Sequence, residues 1–342
     1  MGGNDQLDLM VDGLDEARRK VEAAPRSMRT RLLKQLETEH DLLSGLPAID
    51  DLSFLHSGLC QTCLPHSRPA SNTTPWTRTS GRFTLIVSPG VLDDRPMEDK
   101  LRQPTKAETE DMYVGVPYGS RARLIMIYLQ TEGLKSRFVS LGPSMSAFLH
   151  TLGLPRSGGP RGSILSVREQ CLRIARCQFT MQWTDSHNGG SRSLISDTRI
   201  VEGLELLNSS RGDWSGTVEL SQKFHDHLRE HAVPLDKRSI ALVSNNSLSL
   251  DLYALFAYRL PRLRDKLHMP WEMLQSQIGT EYAEVRELKR KVSQISNTLR
   301  KAYRDAKFEI MPSGITLYPS PPAVPKNTMI SGFSLVGEGE QS

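Results

Sequence analysis

One order of segments occurs twice in this chain, and it restricts the fold more than any other feature. The first copy opens with SRARLIMIYLQTEGLK (residues 120–135), in which Leu124, Ile127, Tyr128 and Thr131 keep helical spacing. A short segment, PSMSAFLHTLGL, follows, with Ser144 placed to cap a helix and Gly153 to stop it. After a Gly-rich turn over 155–160 comes a third helical stretch, RGSILSVREQCLRIARC. It leads into QFTMQW, a polar tip TDSHNGGSR, and SLISDTRIVEG, read as two strands and their turn. The second copy runs through SLDLYALFAYRLPRL (249–263), PWEMLQSQIG with Pro270 at a first-turn position, and EYAEVRELKRKVSQISNTLRKAY. It closes with KFEIM, the turn Pro312-Ser313-Gly314, and ITLYP. Helix, helix, helix, strand, wing, strand is the winged-helix order, whose third helix fits the DNA major groove. The expected class is therefore α+β, with two tandem winged-helix domains.

The flanking composition sets the expected boundaries. Residues 1–45 read as polar helices, ARRKVEAA and MRTRLLKQLETEHDLL, and 65–80 as a Pro-, Ser- and Thr-rich linker. Residues 1–79 thus form a mostly helical or disordered extension. The first winged-helix domain is expected over 80–214, the second over 215–320, and a disordered tail over 321–342. Apolar residues make up 38% of the 342, which suits a chain with unstructured ends. With no apolar run of about 18 residues and no basic-then-apolar leader, the expectation is a cytoplasmic protein associated with nucleoid or plasmid.

A formal charge of +4 is unremarkable, but its distribution is uneven. Residues 93–111 gather Asp93, Asp94, Glu98, Asp99, Glu108, Glu110 and Asp111, whereas 286–307 gather Arg286, Lys289, Arg290, Lys291, Arg300, Lys301, Arg304 and Lys307. In the second copy's third helix, Val285, Leu288, Val292, Ile295, Leu299 and Tyr303 make an apolar stripe. At about 100° per residue the opposite face carries Arg286, Arg290, Gln294, Asn297, Lys301 and Arg304. Arg pairs with guanine edges, Gln and Asn with adenine, and the outer cations suit phosphates. In the first copy the stripe is Ile164, Val167, Cys171, Ile174 and Ala175, which turns Ser166, Glu169, Gln170 and Arg173 outward. Arg161 and Ser163 stand at that helix start, where backbone N–H groups can hold a phosphate. His187, Asn188 and Arg192 belong to the expected wing tip. The DNA-binding set is thus Arg161, Ser163, Ser166, Gln170, Arg173, Arg192 and the six residues of the second copy.

Other chemistry is expected to be absent. Cys60, Cys63 and His66 give C-x-x-C-x-x-H, but no second cysteine pair has the spacing for a zinc site. His227 and His231 lie four apart in FHDHLREHAVPLD without the glutamate of a zinc-protease helix. Asp226 separates His225 from His227, which breaks the two-histidine pattern of rolling-circle nickases. Neither a phosphate loop nor a G-x-S-x-G elbow is present. No metal, no cofactor and no enzymatic activity are expected.

The segment VGVPYGSRARLIMIYLQTEGLKS (114–136) resembles the RepA-type plasmid replication initiators of Gram-negative bacteria. The likeness continues in VSLGPSMSAFLHTLGL, SVREQCLRIARCQFTMQW and FHDHLREHAVPLD, and returns in LDLYALFAYRL, PWEMLQSQIG and GITLYPSPP, covering most of 80–322. The resemblance implies a protein that binds repeated sites (iterons) in double-stranded origin DNA and helps melt the origin. It also implies recruitment of the host replication initiator and replicative helicase, and a switch between monomer and homodimer. A winged-helix transcriptional repressor without a replication role is the alternative.

Overall fold

The computed structural model describes residues 19, 21–43, 45–93, 95–159, 162–187, 190–208, 214–279, 282–325 and 328. It is built from helices and short antiparallel sheets, in agreement with the expected α+β class.

The second repeat follows its sequence pattern closely. Helix α10 (Ser247–Arg259) begins at Asn246, whose side chain accepts from the Ser249 N–H, as an N-cap should. It is preceded by β9 (Ala232–Asp236) and α9 (Lys237–Val243). Strand β10 (Leu267–Pro270), α11 (Trp271–Leu274) and a π-turn at Gln275–Gly279 lead to the long helix α12 (Val285–Ala302). The hairpin β11 (Phe308–Met311) and β12 (Gly314–Leu317) then folds back, with β12 between β10 and β11. The close approach of β12 to β10 requires glycine at 314: a Cβ there would stand 2.1 Å from the Met269 carbonyl oxygen.

The first repeat places α5 at Gly119–Gly133, α6 at Met145–Thr151 and α7 at Ser163–Arg176. Ser144 caps α6 by accepting from Ala147 N, and Gly153 ends it at φ +69°. Its β part is larger than the two strands and wing read from sequence. Strands β5 (Gln178–His187) and β6 (Gly190–Arg199) extend through much of the expected polar tip. They join β2 (Trp76–Ser80) and β3 (Phe83–Ser88) in a four-stranded sheet ordered β2-β3-β5-β6. The chain breaks at the buried Ile200, and β7 (Val201–Asn208), β8 (Trp214–Leu220) and β4 (Phe138–Ser140) form a second sheet.

Three expectations about the ends are corrected. Residues 76–80 are a sheet strand, because alternation of Trp76 and Arg78 with Thr77 and Thr79 suits β pairing against β3. Residues 52–64 are not an extension: β1 (Leu52–His56) pairs with β9, and α2 (Ser57–Gln61) follows it into the core, burying Leu52, Phe54, Leu55, Cys60, Cys63 and Leu64. Strand β9 tolerates Pro234 because, among the described residues, it pairs on one side only, as half of a two-stranded ribbon. The start of the expected tail is packed as well. Val324 is fully buried, and the Tyr303 hydroxyl donates to the Pro321 carbonyl. Residues 329–342 lie outside the described residues. Of the N-terminal helices, α1 (Arg26–Leu43) is present.

Helices α5 and α10 are buried on nearly every side, and a buried ion pair joins them. Arg123 and Asp251 are each the fifth residue of their helix, so the two repeats touch at equivalent positions. Arg123 Nε donates to Asp251 Oδ1 (2.6 Å) and Nη2 to Oδ2 (2.7 Å). Its remaining N–H groups reach the carbonyls of Leu64, Pro65 and Gly119 at 2.6–3.1 Å, so all five donors are used. Burial would raise the Asp251 pKa, but the adjacent guanidinium and the His66 hydrogen bond hold it below the usual carboxylate value. Removal of either partner leaves a buried charge alone. Arg123→Met or Asp251→Leu is expected to cost about 3–5 kcal/mol in denaturant unfolding, and the double variant less than either single. Equal, additive losses would show that the pair is not coupled.

Candidate nucleic-acid interface

Helix α12 is amphipathic by sequence, and the structure uses both faces as that pattern requires. Leu288, Val292, Leu299, Ala302 and Tyr303 are buried, and Val285 and Ile295 pack partly against the core. Arg286, Arg290, Gln294, Asn297, Lys301 and Arg304 are all exposed. The helix is held at both ends. Lys289 Nζ donates to the Pro312 carbonyl in the β11–β12 turn (3.1 Å), and Trp271 Nε1 donates to Met311 O (3.1 Å). Arg300 bonds the Phe308 carbonyl and lies over its ring at 4.2 Å. These contacts take Lys289 and Arg300 into packing and leave the neighbouring face to solvent.

Along that face the partners differ. Arg286 lies 3.5 Å from Glu284, with both side chains largely exposed, so the pair contributes little. Arg290, Gln294 and Asn297 have no side-chain partner among the described residues. Lys301 meets Glu39 of α1 at 2.7 Å, and Arg304 donates to the Leu42 carbonyl. The arrangement offers a row of donors suited to base edges at its centre, with cations at both ends.

Helix α7 does not present the outward face assigned to it. Gln170 is buried, its Oε1 accepting from Tyr118 N at 2.8 Å. Arg173 is also buried: Nη2 pairs with Glu169 (2.9 Å), Nη1 donates to Val116 O (3.0 Å), and the guanidinium lies over Tyr118. Ser163 is buried in reciprocal bonds with Ser157, and Ser166 accepts from Arg121. The physical reason is that α7 packs against α5 and the segment before it on one side and against α6 and β7 on others. A polar residue at an outward angle therefore becomes a tether for the Val116–Tyr118 backbone. Exposed on α7 are Leu165, Arg168 and Arg176, of which Arg168 was missed because only one buried side was assumed. Arg192 stands in β6 opposite Asp185. Arg161 and Asn188 lie outside the described residues.

Two clusters could in principle hold a metal. Ligand atoms of Cys63, His66 and Asp251 come within 4.8 Å of one another. The cation position beside Asp251, however, is filled by Arg123, and the Cys63 thiol donates toward Gln277 O. Burial, and then Asp251, push the Cys63 pKa up to about 12, which opposes the thiolate a metal needs. The second cluster lies on α8 (Gln222–His231) and β1. His56 Nδ1 accepts from Gly58 N–H, which fixes Nε2 as the donor to His227 Nδ1 at 2.7 Å. His231 lies edge-on to His56. A direct nitrogen-to-nitrogen hydrogen bond leaves no room for a bridging ion, and the cluster instead ties β1 to α8.

That tie has a pH signature. Burial, then repulsion from His227 and His231, lower the His56 pKa from 6.5 to about 3. His227 is lowered too, by burial first and then by His231. An imidazole with a folded pKa below its unfolded one takes up its proton on unfolding. Stability is therefore full above about pH 6.5 and falls as pH drops below it, by about 1.4 kcal/mol per unit from His56 alone. Half-buried His227 adds less. Urea midpoints measured from about pH 7.5 down to about pH 5 are expected to fall, with a shallower limb in His227→Gln. A flat profile would refute this account.

Residues 116–272 match the family model described as plasmid encoded RepA protein. This bears out the resemblance over a narrower span than 80–322. No protein of curated function matches the chain. Among solved structures, a crystal structure of domains 2 and 3 of RctB covers 74% of this chain and 88% of its own, at 12% identity and TM-score 0.45. A second crystal structure of RctB domains 2–3 covers 73% and 83%, at 15% identity and TM-score 0.42. Among the described residues no helix is long and apolar enough to cross a membrane.

Proposed function

We propose, since residues 116–272 match the family model of plasmid encoded RepA protein, that this chain is a replication initiator that binds double-stranded origin DNA through α12. The single observation that carries the DNA-binding part is the exposed row Arg286, Arg290, Gln294, Asn297, Lys301 and Arg304 opposite an apolar stripe packed on the core. In this reading α10, α11, α12 and the β11–β12 hairpin act as a winged helix, with α12 in the major groove. The tandem arrangement is supported by the equivalent helix order of the two repeats. The first repeat then adds contacts from the exposed side of α7, where Arg168 replaces the buried Gln170 and Arg173.

Origin opening, recruitment of a host initiator and helicase, and homodimer formation belong to the same proposal, as does the absence of catalysis. Binding energy in such a protein comes mainly from phosphate neutralisation, and specificity from base-edge contacts in the groove.

Footprinting of the purified chain on its own replicon tests this directly. Protected repeats within the origin are expected, and protection confined to a promoter would favour a repressor. Arg290→Ala is expected to weaken site-specific binding by about 1–3 kcal/mol without altering the fold. Unchanged affinity would remove α12 as the reading surface. Supercoiled plasmid incubated with the protein and Mg²⁺ is expected to stay intact.

A further inference from the structure

Helix α1 ends against the C-terminal end of α12. Its last turn presents the Glu39 carboxylate to Lys301 Nζ at 2.7 Å and the Leu42 backbone carbonyl to Arg304. Just beyond, the Gly45 carbonyl accepts from Arg238 at 3.2 Å, although Arg238 is paired chiefly with Asp236 at 2.9 Å. Carbonyls at a helix C-terminus carry partial negative charge. The α1 end therefore offers two cations, Lys301 and Arg304, what a DNA backbone offers: a formal negative charge and an acceptor oxygen.

The rest of α1 is covered on one side only. Leu42 is buried, whereas Met28 and Leu33 are half exposed. Toward the body, α1 borders a cavity of about 1110 Å³ through Ser27, Thr30 and Thr38, with Leu52, Ile127 and Ile240 on the far wall. Its principal helix contact is with α9. A helix packed on one neighbour and bordered elsewhere by a cavity and solvent is easier to displace than a helix buried on every side.

We infer that α1 is an autoinhibitory strap: its C-terminal end occupies Lys301 and Arg304 and competes with DNA phosphates for them. The inference rests on the reading of α12 as a DNA-binding helix and adds a regulatory element to it. In the strapped state, contact with DNA is made through Arg286 and Arg290 at the other end of the row. Displacement of α1 adds Lys301 and Arg304.

The test uses the full chain and a fluorescein-labelled mixed-sequence duplex, with anisotropy titrations across a range of salt concentrations. Glu39→Gln is expected to tighten binding several-fold and to steepen the log K against log salt slope by about 0.9, the increment of one added phosphate contact. Glu39→Asp, which keeps the charge, is expected to stay near the wild-type slope. Lys301→Ala added to Glu39→Gln is expected to abolish the gain. A gain that persists without Lys301, or no gain in Glu39→Gln, overturns the strap. Arg290→Ala separates the two levels. If it weakens binding while Glu39→Gln changes nothing, only the strap fails; if neither variant alters binding, the reading of α12 fails and the strap with it. Thermal unfolding of each variant verifies that the fold is kept.

Discussion

The Arg123–Asp251 pair governs how the two repeats sit together. A guanidinium buried between two helices is stable only when each donor is met and a counter-charge lies within bonding distance. Here those conditions draw in three separate stretches: α5 supplies the arginine, α10 the aspartate, and the chain around Leu64 and Pro65 two carbonyls. The segment after α2 is thereby placed between the repeats, and the orientation of α10 is fixed relative to α5. Because α12 packs on α10, the exposed basic row inherits its position from that buried contact. A wholly apolar junction would permit sliding; the fork of two nearly parallel hydrogen bonds does not.

The parts of this fold that sequence made legible are those where one local rule dominates. The apolar stripe of α12 is strict, so both its buried and exposed faces followed from a period of 3.6. Ser144, Gly153 and Pro270 mark helix ends by mechanisms that act within a few residues. The illegible parts depend on contacts distant in sequence. Strand β1 is short, all five of its residues are buried, and its only strand partner among the described residues begins at Ala232. A continuous buried run carries no alternation to reveal it.

Helix α7 shows a different limit. Gln170 and Arg173 were assigned to solvent because polar residues on an amphipathic helix usually face it. Each instead bonds a backbone group, Gln170 at Tyr118 and Arg173 at Val116. Sequence alone does not distinguish a polar side chain that waits for DNA from one that holds a loop, since both are long, polar and opposite an apolar stripe. Only the number of elements packed around the helix decides. In α12 the core lies on one side and the outward polar residues are exposed; in α7 several elements surround it.

The ribbon of β1 and β9 also has a consequence for how the chain is made. Its two strands are about 180 residues apart, and Asp251 lies further on still. During synthesis, the N-terminal strand therefore leaves the ribosome long before any partner exists for it. The first repeat must wait, with an unpaired edge and an unmatched Arg123, until the ribosome has passed the start of the second. Contacts closing over such distances slow folding and lengthen the exposure of sticky intermediates. The order of synthesis thus makes completion of the first repeat conditional on the arrival of the second, and a prematurely terminated chain is left without the means to bury its own centre.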